Sequence, residues 1–309
     1  MYDTTKLFLS QEQAGGSVQD CLHYLTNLSE TYRQESGQTY IAGNAGNLRV
    51  GVSVHGVSIT GSLAKFYLGT NLHTLNRSDS RRAFEMMADT LHLPIQKATV
   101  SRVDIGHNLV MDHKPELYYQ HLGPSAKYQR LVQPKSLSYQ NNLRSYKFYN
   151  KIAESRKNGV AIPDVYRGKH LLRAELCYMQ RLPKQFNQAL ITPDTLTDEQ
   201  FYISMYDRWF KEYEAISKVG LAKMDTSKIN TPDDYLKQLL AMCIQEKGLD
   251  TVLHHVEVSK EQHMFKHAAY YSNLKRKLKE LCSSNTFADQ PELIKELNKK
   301  VARAKQHYR

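Results

Sequence analysis

Three short stretches of the chain place charged or phenolic side chains two residues apart. They are "SRVDIG" with Arg102 and Asp104, "YKFYNK" with Lys147, Tyr149 and Lys151, and "LLRAELC" with Arg173 and Glu175. Residues two apart in a β-strand point to the same side, so each stretch predicts a strand with one polar and one apolar face. If the three strands share a sheet, one exposed surface carries two carboxylates, several cations and a tyrosine.

Those residue types can transfer a phosphodiester. Two converging carboxylates can bind Mg²⁺ or Mn²⁺, cations that suit oxygen ligands and leave room for a phosphate. A tyrosine beside a metal or a lysine can attack phosphorus and form an ester that conserves energy for rejoining. Nearby Lys and Arg would neutralise the charge on the phosphate. Each motif alone has a simpler interpretation, namely a solvated face with cross-strand ion pairs and a tyrosine that only packs.

A stretch without carboxylates surrounds the tyrosine, because no Asp or Glu lies between Glu116 and Glu154. Its basic residues are Lys127, Arg130, Lys135, Arg144, Lys147 and Lys151. One carboxylate there would repel a nucleic acid strand by about 1 kcal/mol, so we expect the stretch to form a basic floor for DNA. Within it, "AKYQRLVQPKSLSYQNN" predicts a mobile loop or hairpin that contacts DNA, or a plain linker. Tyr139 would lie in that loop, and Tyr146 on the strand face opposite Tyr149.

Composition supports a polyanionic partner. The 309 residues include 42 Lys and Arg against 31 Asp and Glu, which gives a formal net charge of +11. Such a charge attracts nucleic acid over long distances. The four cysteines are far apart and form no CxxC pair, which predicts reduced thiols of a cytoplasmic protein and neither a disulfide framework nor a zinc site. No stretch is apolar enough to predict a membrane span or a signal peptide.

The surrounding sequence predicts an α+β fold with an antiparallel-rich sheet and packed helices. Residues 39–68 alternate with a period of two, which indicates hairpin strands, and "SDSRRAFEMMADTLHLP" indicates a helix. After about Ile191 the pattern becomes helical, in "TLTDEQFYISMYDRWFKEYEAISKV", "TPDDYLKQLLAMCIQEKG", "SKEQHMFKHAAYYSNLKRKLKELC" and "QPELIKELNKKVARAKQHY". We therefore predict two domains: a catalytic, sheet-based domain over residues 1–190 and a helical, basic DNA-binding or accessory domain over residues 191–309.

The order of four motifs resembles a known family. "TVSRVDIG", "FYNKIAE" and "LLRAELCYMQRLPKQF", preceded by "GSLAKFYLGTN" at residues 61–71, resemble the replication initiators of filamentous phages, the gene II and gene X proteins, and related phage and plasmid rolling-circle initiators. The resemblance covers roughly residues 50–190. It implies an enzyme that nicks one strand of the origin duplex and leaves a 3′-hydroxyl for the host polymerase. Such an enzyme stays joined to the 5′ end through tyrosine and later reseals the strand.

The resemblance also implies roles for individual residues. The nucleophile falls on Tyr149 with Lys151 as its lysine, and the metal ligands fall on Asp104 and Glu175, with Glu154 as a further candidate. The predicted DNA contacts are Ser62, Lys65, Arg102, Lys147, Arg144, Arg173, Lys127 and Arg130. The implied partners are double-stranded and single-stranded DNA at a replication origin, together with a host helicase and polymerase in the cytoplasm of a bacterial cell.

Histidines separate this chain from another class of rolling-circle nucleases, which chelates metal through His-x-His. No His-x-His occurs here, and His263 and His267 have the spacing of one helix face without a matched acid ligand. We expect those two on the polar face of a basic helix and an oxygen-bound metal elsewhere. Two other functions stay open: a hydrolytic nuclease that uses Asp104 and Glu175 with activated water, and a non-catalytic origin-binding or regulatory protein.

Overall fold

The structure is a computed structural model that describes residues 1–33, 38–219, 221–222, 226–283, 288–289 and 292–306. Its strands are β1 (Tyr2–Ser10), β2 (Thr26–Arg33), β3 (Gln38–Ala45), β4 (Leu48–Ser53), β5 (Gly56–Ser62), β6 (Thr99–Met111), β7 (Leu122–Ser125), β8 (Gln129–Gln133), β9 (Ser136–Gln140), β10 (Arg144–Asn150), β11 (His170–Tyr178), β12 (Ile216–Lys218), β13 (Leu221–Ala222) and β14 (Ala288–Asp289). Its helices are α1 (Gln11–Ala14), α2 (Leu63–Leu68), α3 (Arg77–Leu91), α4 (Glu116–Tyr119), α5 (Lys151–Lys157), α6 (Leu182–Phe186), α7 (Pro193–Thr197), α8 (Glu199–Glu214), α9 (Pro232–Lys247), α10 (Leu249–Glu261), α11 (Ala268–Ser283) and α12 (Glu292–Gln306).

A 10-stranded sheet organises the molecule, in the order β2-β3-β4-β5-β1-β6-β11-β10-β9-β8. Neighbouring strands are antiparallel throughout this sheet. The three motif strands β6, β11 and β10 are direct neighbours, so the expectation that they share a sheet is confirmed. The α+β class is confirmed as well, since helices pack against this sheet and dominate the chain from Pro232 onward.

The apolar face of the sheet forms the main core with helices from distant parts of the chain. Phe84 of α3, Trp209 of α8 and Val301 of α12 are all buried in one cluster with strand residues such as Ile105 and Leu176. Burial of these large side chains removes apolar surface from water and fixes which face of each strand points inward. The domain division at residue 190 stays a prediction, while this core includes residues from both sides of it.

The polar face of the sheet is covered only in part. At the end of β11 that begins with His170, Leu171 packs with Leu72 and with Ile152 of α5 in a small separate apolar cluster. The rest of this face carries the polar side chains of β6, β11 and β10. Helix α5 and the loop after it therefore flank one end of the predicted site.

The first strand was not predicted from the sequence, although β1 lies near the centre of the sheet between β5 and β6. Its alternation is broken by a register shift between Tyr2 and Thr5, where an extra residue faces β6. The predicted hairpin strands stop at Ser62, earlier than the expected Leu68. There the Ser62 hydroxyl accepts a hydrogen bond from the Lys65 amide and begins helix α2.

The structure shows where the stretch before β10 and the two tyrosines near it, Tyr139 and Tyr146, lie. Within residues 126–142, β8 and β9 pair as a hairpin, and its contact with DNA stays a prediction. Tyr139 is a buried strand residue and not a loop residue. Its hydroxyl donates to the carbonyl of Leu122 at 2.9 Å and of Gly123 at 2.6 Å. Tyr146 lies on the apolar face of β10, as expected, and is fully buried.

The predicted single helix from Ser259 to Cys282 is two helices, because α10 ends at Glu261 and α11 begins at Ala268. His263 takes a left-handed conformation, and the Tyr271 hydroxyl accepts from the Phe265 amide at 2.6 Å. These contacts stabilise a turn that folds α11 back onto α10. His263 and His267 therefore lie in the connection, and the prediction of one helix face was wrong. In the described parts of the chain, no helix combines the length and apolarity that crossing a bilayer requires.

Candidate active site

Strand register brings three side chains together on the polar face. Asp104 of β6 lies directly opposite Cys177 of β11, and Glu175 lies opposite Lys147 of β10. Directly opposed residues of an antiparallel pair share a face, and so do residues two apart on one strand. One donor atom each from Asp104, Glu175 and Cys177 accordingly lies within 4.8 Å of the other two.

The candidate nucleophile joins this group. The hydroxyl of Tyr149 donates a hydrogen bond to Oε2 of Glu175 at 3.1 Å. Burial raises the pKa of the Tyr149 phenol well above its usual value, although the positive charge of Arg173 opposes that shift. The phenol is therefore neutral at physiological pH and needs a base or a cation beside it before it can attack phosphorus. A carboxylate stands at the distance required of such a base.

Asp104 is buried, with 1% of its surface exposed, so the open wall expected from the sequence is covered at this point. Arg102 covers it, donating from Nε to Oδ1 at 2.9 Å and from Nη2 to Oδ2 at 2.7 Å. Burial nevertheless raises the pKa of Asp104 to about 6, with the Glu175 carboxylate adding to the shift. One guanidinium thus does not fully compensate the buried negative charge here.

This donor set fits an oxygen-preferring divalent cation. Two carboxylates converge, and the raised pKa of Asp104 means that further positive charge nearby would stabilise its ionised form. Cys177 is the third member, and burial raises the pKa of its thiol, which keeps it protonated and a poor ligand for Mg²⁺. Glu154, the further candidate ligand, does not belong to this group among the described residues.

Arg173 holds the acidic side of the site in place. Its buried guanidinium donates to Glu175 Oε2 at 2.8 Å and to Asn108 Oδ1 at 3.1 Å, and it also pairs with the carboxylate of Asp3. Arg173 is only 2% exposed, and the acids and amides just named surround its guanidinium. Its predicted contact with DNA stays a prediction. Removal of Asp3 would leave one side of this guanidinium without its charge partner.

Asp3 is the site residue that the sequence did not reveal. It lies on β1 at the register shift, so simple alternation along "YDTTKLFLS" does not predict its face. Ser62 donates its hydroxyl to Asp3, and Asn71 donates from Nδ2 to Oδ2 at 3.1 Å. The predicted contact Ser62 thus lies beside the site, and half-buried Lys65 follows it on α2.

Lys151 was predicted on the strand with Tyr149, but β10 ends at Asn150 and Lys151 begins helix α5. The reason is local, because the Asn150 side chain accepts from the Ala153 amide at 3.0 Å and caps the helix. Lys151 is buried, its Nζ lies 2.6 Å from Glu154 Oε2, and it lies 6.0 Å from the centre of the Tyr149 ring. Burial lowers the pKa of Lys151, while the hydrogen bond to Glu154 opposes that shift.

Comparison with known families gives a match. A family model described as the N-terminal part of a phage replication-associated protein, of the gene II type, matches residues 1–212. The chain belongs to this phage replication-associated family. Every residue described above for the candidate site falls within the matched segment, whereas helices α9–α12 lie beyond it. No curated protein matches the chain.

Three of the predicted DNA contacts lie away from this site. Arg144 is on the face of β10 opposite Tyr149, where Nη1 lies 2.5 Å from Oε1 of buried Glu212. Lys127 lies 3.6 Å from the same carboxylate, and Arg130 pairs with Asp250. The stretch without carboxylates therefore does not form one basic floor, because acids from helices α8 and α10 pair with these residues. Exposed Lys147, in contrast, lies on the polar face opposite Glu175.

Proposed function

We propose that this protein initiates rolling-circle DNA replication by cutting one strand at an origin through Tyr149. The observation that supports this most directly is the 3.1 Å hydrogen bond from the Tyr149 hydroxyl to Glu175, a residue that converges with Asp104. A nucleophile, an adjacent base and a second carboxylate are the parts that metal-assisted phosphodiester transfer requires. Membership of a phage replication-associated family supports the same conclusion.

In the cutting step the phenolic oxygen of Tyr149 attacks phosphorus and the bond from phosphorus to the 3′ oxygen breaks. Glu175 accepts the phenolic proton, and the ammonium of Lys151 donates a proton to the departing 3′ oxygen. The lowered pKa of Lys151 makes its ammonium a better acid for that role. The products are a 5′-phosphotyrosine and a free 3′-hydroxyl from which a polymerase can extend. Rejoining reverses each bond and proton change.

Asp104 and Glu175 would hold Mg²⁺ or Mn²⁺, which supplies positive charge to the scissile phosphate when bound. The two oxygens of Glu175 face different partners, since Oε2 accepts from Tyr149 and Oε1 lies 3.7 Å from the Cys177 sulfur. Glu175 can thus act as a base through Oε2 and leave Oε1 for the cluster that it forms with Asp104 and Cys177. Arg173 fixes this orientation through its bond to Oε2.

The partners that follow from this activity are duplex and single-stranded DNA at an origin. A host polymerase would extend the 3′-hydroxyl, and a helicase would separate the strands. We place the reaction in the cytoplasm of a bacterial host, where Cys21, Cys177 and Cys243, which are free thiols here, would remain reduced.

The test is detection of the covalent product. The protein is incubated with Mg²⁺ and supercoiled plasmid that carries the origin, the DNA is digested, and peptides are analysed by mass spectrometry. We expect nucleotide mass on the Tyr149 peptide, none in a Tyr149→Phe variant, and none without the metal. A nucleotide attached to another tyrosine would contradict the assignment.

Hydrolysis is the second candidate function, and the raised pKa of Tyr149 is the observation that favours it. In that mechanism Asp104 and Glu175 would activate water, and Tyr149 would only pack. Nicking that persists at a similar rate in Tyr149→Phe would identify this reaction. Origin binding without any nicking would instead identify a regulatory protein.

A further inference from the structure

The polar face of the sheet continues well beyond the candidate active site. Across strands β6, β1, β5 and β4, the directly opposed residues are Arg102, Lys6, Thr60 and Arg49. Because opposed residues share a face, these side chains form one row on the same surface as Asp104. Lys6 and Arg49 are exposed, and neither forms an ion pair within the described part of the chain.

Three of the strands in this part of the surface lack acids, and the acid of β1, Asp3, lies beside the active site. No Asp or Glu lies between Glu35 and Asp79, a range that includes all of β3, β4 and β5. Glu30 of neighbouring β2 lies opposite Ile41, on the other face from Arg49. On the described strands β3, β4 and β5 this face therefore carries exposed positive charge without a carboxylate, which suits a phosphodiester backbone.

A cleft with an aromatic wall lies one row further along. Phe8, Ser58 and Gly51 are directly opposed on β1, β5 and β4, and Phe8 remains 37% exposed. The Tyr40 side chain crosses Gly51, where an added Cβ would lie 1.6 Å from the Tyr40 hydroxyl oxygen. The small side chains make a shallow floor, and the cleft has Phe8 and Tyr40 among its lining residues.

The cleft and the active site are separated by a short distance along the sheet. Phe8 pairs with Thr99 of β6, five residues before Asp104 on that strand. At about 3.3 Å per residue this is roughly 17 Å along the strand direction, a distance that a few nucleotides of single strand cover. Lys6 lies between the two ends of this path, and Arg49 lies in the same row two strands away.

We propose that the polar face of β1, β5, β4 and β3 is a binding track for single-stranded DNA, with one base stacked on Phe8. Lys6 and Arg49 neutralise phosphates along the track, and the cleft between Phe8 and Tyr40 receives the base. An exposed ring beside a row of cations is the arrangement that binds single strands without reading their sequence. The inference rests on the proposed function, because it assigns the occupant as the strand that Tyr149 cuts.

The test measures binding apart from cleavage. Full-length protein carrying Tyr149→Phe is titrated, without metal, into fluorescein-labelled oligothymidylate, and affinity is read from fluorescence anisotropy. We expect Phe8→Ala to weaken binding about tenfold, consistent with the loss of one base stack, and Phe8→Trp to retain it. Arg49→Ala should weaken binding and reduce the slope of log affinity against log salt concentration by about 1, the value for one lost phosphate contact. The matched control is Tyr32→Ala. Tyr32 of β2 is more exposed than Phe8, but it lies on the face of the sheet opposite the track.

An abasic strand of the same length separates stacking from phosphate contact. On that probe the effect of Phe8→Ala should disappear, while the effect of Arg49→Ala should persist. Thermal unfolding midpoints verify that each variant is folded, and Phe8→Leu replaces Phe8→Ala if the latter unfolds. The proposal is wrong if Phe8→Ala binds oligothymidylate within twofold of its parent, or if Tyr32→Ala loses as much affinity. Nicking without Phe8-dependent binding would reject the track alone, whereas Phe8-dependent binding without nicking would reject only the catalytic proposal.

Discussion

Two segments of the chain lack carboxylates, residues 36–78 and residues 117–153, and the fold treats their charges differently. In the later segment, Arg144 and Lys127 pair with Glu212, and Arg130 pairs with Asp250. In the earlier segment, Arg77 also pairs with a distant acid, Glu199, at 3.4 Å, but Arg49 stays exposed on the polar face, with no ion pair among the described residues. A segment without acidic residues in the sequence can therefore still have acidic residues from other segments beside it in the fold.

Strand alternation explains this difference for Arg144. Residues 144, 146 and 148 of β10 face the core side, so Arg144 meets Glu212 of a helix that packs there. Lys147 and Tyr149 face the other way, toward β11 residues that carry the candidate chemistry. The same seven-residue strand thus supplies a structural ion pair on one face and a candidate nucleophile on the other. The strand face, more than the local charge density, decides what each residue does.

The largest effect should separate two tyrosines of that strand. We expect Tyr149→Phe to lower the single-turnover nicking rate at least about a thousandfold, because the attacking oxygen is removed. Tyr146→Phe should stay within about twofold, since Tyr146 lies on the opposite face and its buried hydroxyl has no hydrogen-bond partner among the described residues. Quenched-flow nicking of supercoiled origin plasmid measures both rates. Similar losses in both variants would break the distinction between the faces.

Alternation made much of this site predictable. Asp104 alternates with Val103 and Ile105, and the structure buries both apolar residues in the core. The same local rule placed Tyr149 and Glu175 on the polar side, because a strand's faces depend only on its own sequence. The α+β class followed from the change of period after the strands.

Other parts of the site depend on contacts that no local pattern encodes. Asp3 reaches the site because β1 inserts between strands far away in sequence and because a register shift turns its side chain. Lys151 leaves the strand because Asn150 caps a helix one residue earlier than the alternation suggests. The partner of Arg144 is 68 residues away along the chain. Tertiary pairing and capping, not propensity, decided these positions.

A stability measurement sharpens the comparison of the two segments. Glu212→Gln should lower the free energy of unfolding by about 2 kcal/mol, because Arg144 and the Tyr128 hydroxyl both lose a charged acceptor. Arg49→Ala should change it by less than about 0.5 kcal/mol, as expected of an exposed residue. Urea denaturation of both variants gives the two values. If Arg49→Ala were the more destabilising change, the earlier segment would not be an open surface.

The pH dependence of metal affinity tests the buried acid of the polar face. Asp104 has a pKa of about 6 in the folded protein, so below that pH a proton competes with the cation. We expect Mg²⁺ affinity to fall about tenfold per pH unit below 6 and to level off above about 7. Titration calorimetry between pH 5 and 8 measures this. A constant affinity down to pH 5 would remove Asp104 from the ligand set.

The raised pKa of Asp104 also predicts how the stability of the metal-free protein changes with pH. The folded pKa of Asp104 is raised above its ordinary 3.8, so the folded state binds the proton more tightly than the unfolded state does. Stability should therefore decrease as pH rises from about 4 to about 6, by roughly 3 kcal/mol from this group. Comparison with Asp104→Asn, in which this component is absent, isolates the contribution in denaturation curves.

The smallest effect concerns the third donor of the polar face. Cys177 lies opposite Asp104 and its sulfur is 3.7 Å from Glu175, but Mg²⁺ prefers oxygen and the thiol is protonated. We expect Cys177→Ser to keep Mg²⁺-dependent nicking within about twofold, whereas Asp104→Asn, on the neighbouring strand, should lose most of it. Nicking rates of both variants at saturating Mg²⁺ show whether Cys177 or Asp104 is needed for the metal-dependent reaction. A tenfold loss in Cys177→Ser would add the sulfur to the ligand set and would change the expected metal from an oxygen-preferring to a thiophilic cation.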